Sequence, residues 1–128
     1  MNNLDIIEEI NAEIARIINK VKKEYEEFKE HYISLTSLEV FEAAFEINAM
    51  TDFFYFFDND GFGEMINNKI SLYENNKQGL NYIYINLTKM NKNILNTLYH
   101  TMINTDELYS NTWEDIEEVV EETYFFKD

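Results

Sequence analysis

The distribution of apolar residues along the chain predicts helices. In residues 4–33, apolar side chains recur every three or four positions, the spacing that places them on one face of an α-helix. At about 1.5 Å per residue, this helix would be about 45 Å long. An amphipathic bundle helix is the preferred interpretation, and a coiled-coil homodimer through this first helix is the alternative. The apolar positions are Ile6, Ile10, Ile14, Ile17, Val21, Tyr25, Phe28 and Tyr32.

Two capping patterns mark the starts of further helices. Thr36 followed by Glu39 matches a capping box, which predicts a second helix over residues 37–57. The turn-forming residues 58–61 (Asp-Asn-Asp-Gly) would end that helix. Thr112 with Asp115 predicts the N-cap of a last helix over residues 113–125. The apolar stripe predicted for the second helix is Phe41, Phe45, Ala49, Phe53 and Phe56.

The middle of the chain predicts two more helices. Residues 63–73 form a short one, and residues 80–103 keep helical spacing of apolar side chains throughout. Tyr82 to Ile85 are strand-favouring residues, so strand and helix both remain open there, although the length of the segment favours one helix. The chain is therefore predicted to be a single domain, residues 1–128, with an all-α bundle of about four to five helices and a long N-terminal helix.

The net negative charge of the chain excludes some classes of function. The chain has 25 Asp plus Glu against 10 Lys plus Arg, a net charge of −15, while 45% of its residues are hydrophobic, enough for a core. Such an acidic protein repels nucleic acid and anionic membranes, and its charge suits a basic protein partner. The N-terminal residues show no signal-peptide pattern, and no apolar run is long enough to span a membrane. We therefore expect a cytoplasmic protein that binds neither nucleic acid nor membrane directly.

The acids concentrate on one face of the predicted last helix. At about 100° per residue, they occupy one arc of about 160°, with apolar residues opposite. Six charges over eight rises of the helix amount to about one per 2 Å, close to the roughly one per 1.7 Å of duplex DNA. This density predicts imitation of a phosphate backbone, and a merely solvated face is the alternative. The acids are Glu114, Asp115, Glu117, Glu118, Glu121 and Glu122.

A second acidic patch surrounds the predicted turn after the second helix, at Asp58, Asp60 and Glu64. One helix buries about half of the five consecutive aromatic residues just before this turn, so Tyr55 or Phe54 is predicted to be partly exposed as an interface anchor. A helix buried on both sides within the bundle is the alternative. Both features are predicted to contribute to the same kind of protein contact.

The sequence contains no motif typical of a catalytic or metal-binding site. An EF-hand loop aligned on Gly61 would have Phe56 and Asn67 at positions that need carboxylates. The chain has no Cys, and its three Gly form no phosphate-binding loop. We therefore expect a binding protein rather than an enzyme, with no metal and no cofactor.

Two resemblances concern acidic proteins of phages and mobile elements. Glu46-Ile47-Asn48, followed by the aromatic cluster and residues 58–61, is similar to the E-x-N-x-G-G-F pattern of a family of acidic DNA-mimic proteins, with Met50 and Thr51 at the Gly-Gly positions. In size, charge and composition, the chain also resembles small anti-CRISPR and other anti-defence proteins of phages. These resemblances imply an inhibitor and assign no functional residue.

The leading hypothesis is an inhibitor of a nucleic-acid-binding host defence enzyme, such as a CRISPR effector nuclease, that occupies the basic groove of that enzyme. The first alternative is an immunity protein or antitoxin that neutralises a basic toxin nuclease. The second alternative is a structural or regulatory helical dimer.

Overall fold

The computed structural model describes residues 2–104 and 112–125, which form seven helices and no strand. The all-α prediction is confirmed, and the predicted number of four to five helices is too low. The helices are α1 (Asn3–Ile33), α2 (Ser37–Glu42), α3 (Ala44–Asp58), α4 (Gly61–Leu72), α5 (Lys77–Thr88), α6 (Ile94–Ile103) and α7 (Trp113–Tyr124).

The long first helix is confirmed and forms the spine of the bundle. Its N-terminus has a capping box in which the Asn2 side chain accepts from the Asp5 N–H at 2.9 Å. Five of the eight residues of the predicted apolar face are buried, and α1 packs against α3, α5 and α6 of the same chain; Ile10 and Ile17 are completely inaccessible. The other three residues of this face are partly covered, and they are Ile14, Phe28 and Tyr32. The homodimer hypothesis stays a prediction, although most of the side chains on which it rested are buried within the chain.

Aromatic side chains fill the centre of the bundle. Phe53, Phe56 and Phe57 of α3 are buried, and Phe57 packs on Phe62 of α4 with ring centroids 4.6 Å apart. Close-packed rings of this size supply a large share of the buried apolar area of a small domain. The last turns of α3 therefore supply much of the core and pack α3 against α4.

The segment predicted as one helix over residues 37–57 is two helices. Thr36 and Glu39 form the predicted capping box, but the helix ends at Glu42 because Ala43 leaves helical geometry, with φ −91° and ψ 5°. Phe41 and Phe45 were predicted to be part of a buried stripe, and that prediction is wrong, since they are 78% and 59% exposed. The break directs the start of this segment away from the core.

The segment predicted as one helix over residues 80–103 is also two helices, α5 and α6. Tyr82 to Ile85 lie inside α5, which settles the strand-or-helix alternative in favour of helix. Between the helices, Asn93 adopts left-handed geometry with φ 51°, a conformation that Asn tolerates better than most residues. Buried Met90 fills the core beneath the break, so the apolar spacing continues although the helix does not.

Two charged side chains of α1 secure this break from outside. Arg16 donates from Nη2 to the Leu87 carbonyl at 3.1 Å and from Nη1 to the Met90 carbonyl at 3.0 Å. Glu24, two turns later, accepts from the Leu95 N–H at 3.0 Å. Helix ends leave backbone groups unpaired, and a cation suits a C-terminus as an anion suits an N-terminus. Side chains of α1 thus provide hydrogen-bond partners for the backbone at the end of α5 and at the start of α6.

Replacing Arg16 with Met is expected to lower the free energy of unfolding by about 1–2 kcal/mol, because two carbonyls lose a charged donor and Glu13 loses the partner that lies 2.6 Å away. The measurement is urea unfolding followed by circular dichroism. Lys22→Met on the exposed side of α1 is the control, and it should change stability by less than about 0.5 kcal/mol. Equal effects of the two substitutions would contradict a specific role for Arg16.

Candidate functional site

The acidic face of the last helix is present as an ordered surface. α7 begins at Trp113, where the Thr112 hydroxyl caps it by accepting from the Asp115 N–H at 3.2 Å, as predicted. Glu114 and Asp115 lie in the first turn, where the helix dipole favours anions. The cap therefore fixes the start of the helix and the direction in which its acidic face points.

The two sides of α7 separate as the spacing predicts. Ile116, Val119 and Val120 are buried in the core. The opposite side carries the six carboxylates, which we call the acidic stripe: Glu114, Asp115, Glu117, Glu118, Glu121 and Glu122. Trp113, which helical spacing also places on the apolar side, is 45% exposed at the helix end. The buried side thus anchors a row of acids about 12 Å long.

Members of the acidic stripe differ in exposure. Glu114, Glu118 and Glu122 are exposed, whereas Asp115, Glu117 and Glu121 are partly covered. In the part of the chain that the structure describes, no Lys or Arg nitrogen lies within 4 Å of the carboxylates of the three exposed residues. These three residues therefore present their charge directly to the surroundings.

Glu121 already has a cationic partner within the fold. Lys69 of α4 lies 2.6 Å from a Glu121 carboxylate oxygen, and both side chains are largely covered. The Lys69 ammonium also lies 4.9 Å from the centroid of the Phe125 ring. Glu121 thus ties the C-terminal part of α7 to α4 and reduces the negative charge at that end of the stripe.

The stripe concentrates negative potential. Burial raises the pKa of the Glu117 carboxyl above its ordinary value, and the carboxylates of Glu121 and Glu114 raise it further, against the opposing effect of Lys69. The two neighbouring carboxylates that raise the proton affinity of Glu117 also attract other cations, by the same physical cause. The stripe also lines a surface depression of about 400 Å³, in which a basic side chain could sit.

The second predicted patch, which we call the acidic turn, lies at the same end of the bundle as the start of α7. Asp58, Asp60 and Glu64 are all exposed. The turn is tight, because a Cβ at Gly61 would lie 2.6 Å from the Phe56 ring, and that ring packs edge-on against Trp113 at 6.0 Å. The acidic turn therefore extends the negative surface beyond the N-terminal end of the stripe.

Tyr55 lies on a different side of the bundle. Its ring is half exposed and contacts Phe54, whose ring stacks on Tyr25 of α1 at 4.2 Å. The next residue, Phe56, points toward Trp113 of α7 instead. The structure therefore groups Tyr55 with the C-terminal half of α1, and does not bring it to the acidic stripe.

The Lys69–Glu121 pair is the feature of this site that the sequence pattern missed. The sequence gives one hint of this pair, which is that Lys69 is the single basic residue within residues 36–76. Its spacing from residue 121 gives no indication of contact, since helix-packing geometry decides which distant side chains meet.

Metal sites and membrane-spanning helices are considered for residues 2–104 and 112–125, the part of the chain that the structure describes. No group of three or more Asp, Glu, His or Cys side chains there lies close enough together to hold a metal ion. No helix in the same residues has the length and apolar character needed to cross a bilayer. No protein-family model matches the chain, and it matches neither a curated protein nor a solved structure.

Glu117→Gln is expected to increase the free energy of unfolding at neutral pH by about 0.5 kcal/mol, because it removes like-charge contacts within the helix. A raised pKa means that the folded state holds the proton of Glu117 more tightly than the unfolded state does. The wild type therefore loses stability as the pH rises through this carboxyl's titration. Urea unfolding should show the gain shrinking as the pH falls and Glu117 takes up its proton. A destabilised variant at neutral pH would contradict this electrostatic description.

Proposed function

We propose that this protein acts by binding, and that the acidic stripe of α7 occupies the basic groove of a nucleic-acid-binding protein. The partner that we propose is a host defence enzyme such as a CRISPR effector nuclease. The observation that carries the proposal is the row of Glu114, Glu118 and Glu122, exposed at one-turn spacing and unpaired with Lys or Arg among the described residues.

The charge density of the stripe supports imitation of nucleic acid. The six carboxylates of the stripe stand along about 12 Å of helix, or about one per 2 Å, and Glu121 among them is paired to Lys69. That density lies between the roughly 3.4 Å spacing of one DNA strand and the roughly 1.7 Å of the duplex. Lys and Arg side chains arranged to follow phosphates would thus meet carboxylates at a similar spacing.

The rigidity of the stripe also supports the proposal. Its carboxylates stand on a capped helix whose other side is locked in the core by Ile116, Val119 and Val120. Little backbone freedom is lost when such a surface binds, so more of the electrostatic attraction is available for affinity. The acidic turn adds the exposed carboxylates of Asp58, Asp60 and Glu64 to this negative surface.

The test uses two triple variants with the same net charge. Glu114, Glu118 and Glu122 are reversed to Lys in one, and the exposed α1 residues Glu8, Glu26 and Glu30 are reversed in the other. Each reversal adds two charge units, so both variants go from −15 to −9. Wild type and both variants are immobilised and exposed to nuclease-treated bacterial lysate. The affinity of each captured protein, once purified, is then measured across a salt series.

We expect the stripe variant to bind the captured protein at least about tenfold more weakly, while the α1 variant keeps most of the wild-type affinity. Duplex DNA or RNA should displace the partner from the wild type, and added salt should weaken the complex steeply. Equal losses in both variants would assign the effect to net charge and contradict the proposal. A captured toxin nuclease would favour the immunity-protein alternative.

A further inference from the structure

We propose that α2 and the start of α3 form a second docking surface, which binds an amphipathic helix carrying basic residues beside its apolar side chains. This surface is separate from the acidic stripe and does not depend on the function proposed for α7. It consists of Leu38, Phe41 and Phe45, which are 66%, 78% and 59% exposed.

α2 is a capped helix that leaves Leu38 and Phe41 largely uncovered. The Thr36 hydroxyl accepts from the Glu39 N–H at 3.2 Å, and a Glu39 carboxylate oxygen accepts from the Thr36 N–H at 2.9 Å. None of the six residues of α2 is buried. Short helices are marginal in water and normally gain stability by burying an apolar face. A capped helix with an uncovered apolar face has the geometry of a contact element.

The exposed apolar side chains lie close together along the chain, on α2 and the first turn of α3. Leu38 and Phe41 are three residues apart in one helix, so they share a face. Phe45 continues this surface toward α6, where its ring centroid lies 6.3 Å from that of Tyr99. Isolated exposed apolar residues are ordinary, but a group of this kind is typical of an interaction site. Two phenylalanines and a leucine match the anchors of a helix-in-groove contact.

The surrounding charge identifies the occupant. Between residue 32 and residue 51, the stretch that holds all three apolar anchors, the chain has three acids and neither Lys nor Arg. Glu39, Glu42 and Glu46 belong to the same short segment as the apolar anchors, and Glu42 is exposed beside Phe41. An apolar centre with an anionic rim complements apolar anchors flanked by cations. A second copy of this chain fits poorly, because it would bring the same carboxylates against one another.

The probe is a helical peptide of about 15 residues with Leu along one face and Lys elsewhere, and a matched peptide carries Glu in place of Lys. Titration calorimetry measures both peptides against the wild type, Phe41→Ser and Leu72→Ser. Leu72, at the end of α4, is as exposed as Phe41 and serves as the matched control. Both substitutions are on the surface, so circular dichroism should confirm an unchanged fold.

We expect the Lys peptide to bind the wild type and Leu72→Ser alike, to bind Phe41→Ser at least about tenfold more weakly, and the Glu peptide not to bind. Unchanged binding by Phe41→Ser would place the peptide elsewhere, for instance on the acidic stripe, and would overturn the proposal. Sedimentation equilibrium without peptide tests whether a second copy of this chain occupies the surface. A dimer that Phe41→Ser abolishes would make a second copy the occupant and would also overturn it.

Discussion

The fold depends on the way α1 organises the helices around it. Its apolar face is covered by α3, α5 and α6, and its polar edge holds the break between α5 and α6. Arg16 completes carbonyls at the end of one helix, and Glu24 completes an amide at the start of the next. A backbone group buried without a partner is costly, so these two side chains allow the chain to turn at residues 89–93 and keep Met90 in the core.

The acidic stripe exists because burial on the other side of α7 outweighs repulsion. Like-charge pairs one turn apart cost about 0.2–0.5 kcal/mol each, so the pairs of the stripe together cost about 1–3 kcal/mol. Full burial of Ile116, Val119 and Val120 contributes about 1.5–3 kcal/mol per side chain. The helix therefore forms despite its charge. The Thr112 cap and the Lys69–Glu121 pair add support at its two ends.

Much of this arrangement could be predicted from local patterns. The face of α1, the capping box at Thr36, the N-cap at Thr112 and the two sides of α7 all follow from spacing within one helix. The breaks at Ala43 and Asn93 could not be predicted, because neither site has Gly or Pro and the apolar spacing continues across both. At the second break, the deciding groups lie more than 70 residues away on α1.

The same limit applies to the surfaces. Periodicity predicted that Phe41 and Phe45 would be buried, because spacing shows which side chains share a face and not whether another helix covers it. The partner of Glu121 on α4 was likewise outside the reach of local pattern. The acidic stripe itself was predictable, since charge repulsion and core burial both follow from the sequence of a single helix.

The exposed acids of α7 are expected to be carried at a cost to the fold. This cost is tested most directly by urea unfolding at neutral pH of a variant with Gln at positions 114, 118 and 122. A matched variant with Gln at positions 8, 26 and 30 is the comparison, where Lys22 and Lys29 lie one turn from Glu26. The account predicts that the α7 variant is more stable than the wild type by about 0.5–2 kcal/mol and that the α1 variant gains nothing. An α7 variant less stable than the wild type would show that the stripe supports the fold, and would contradict the account.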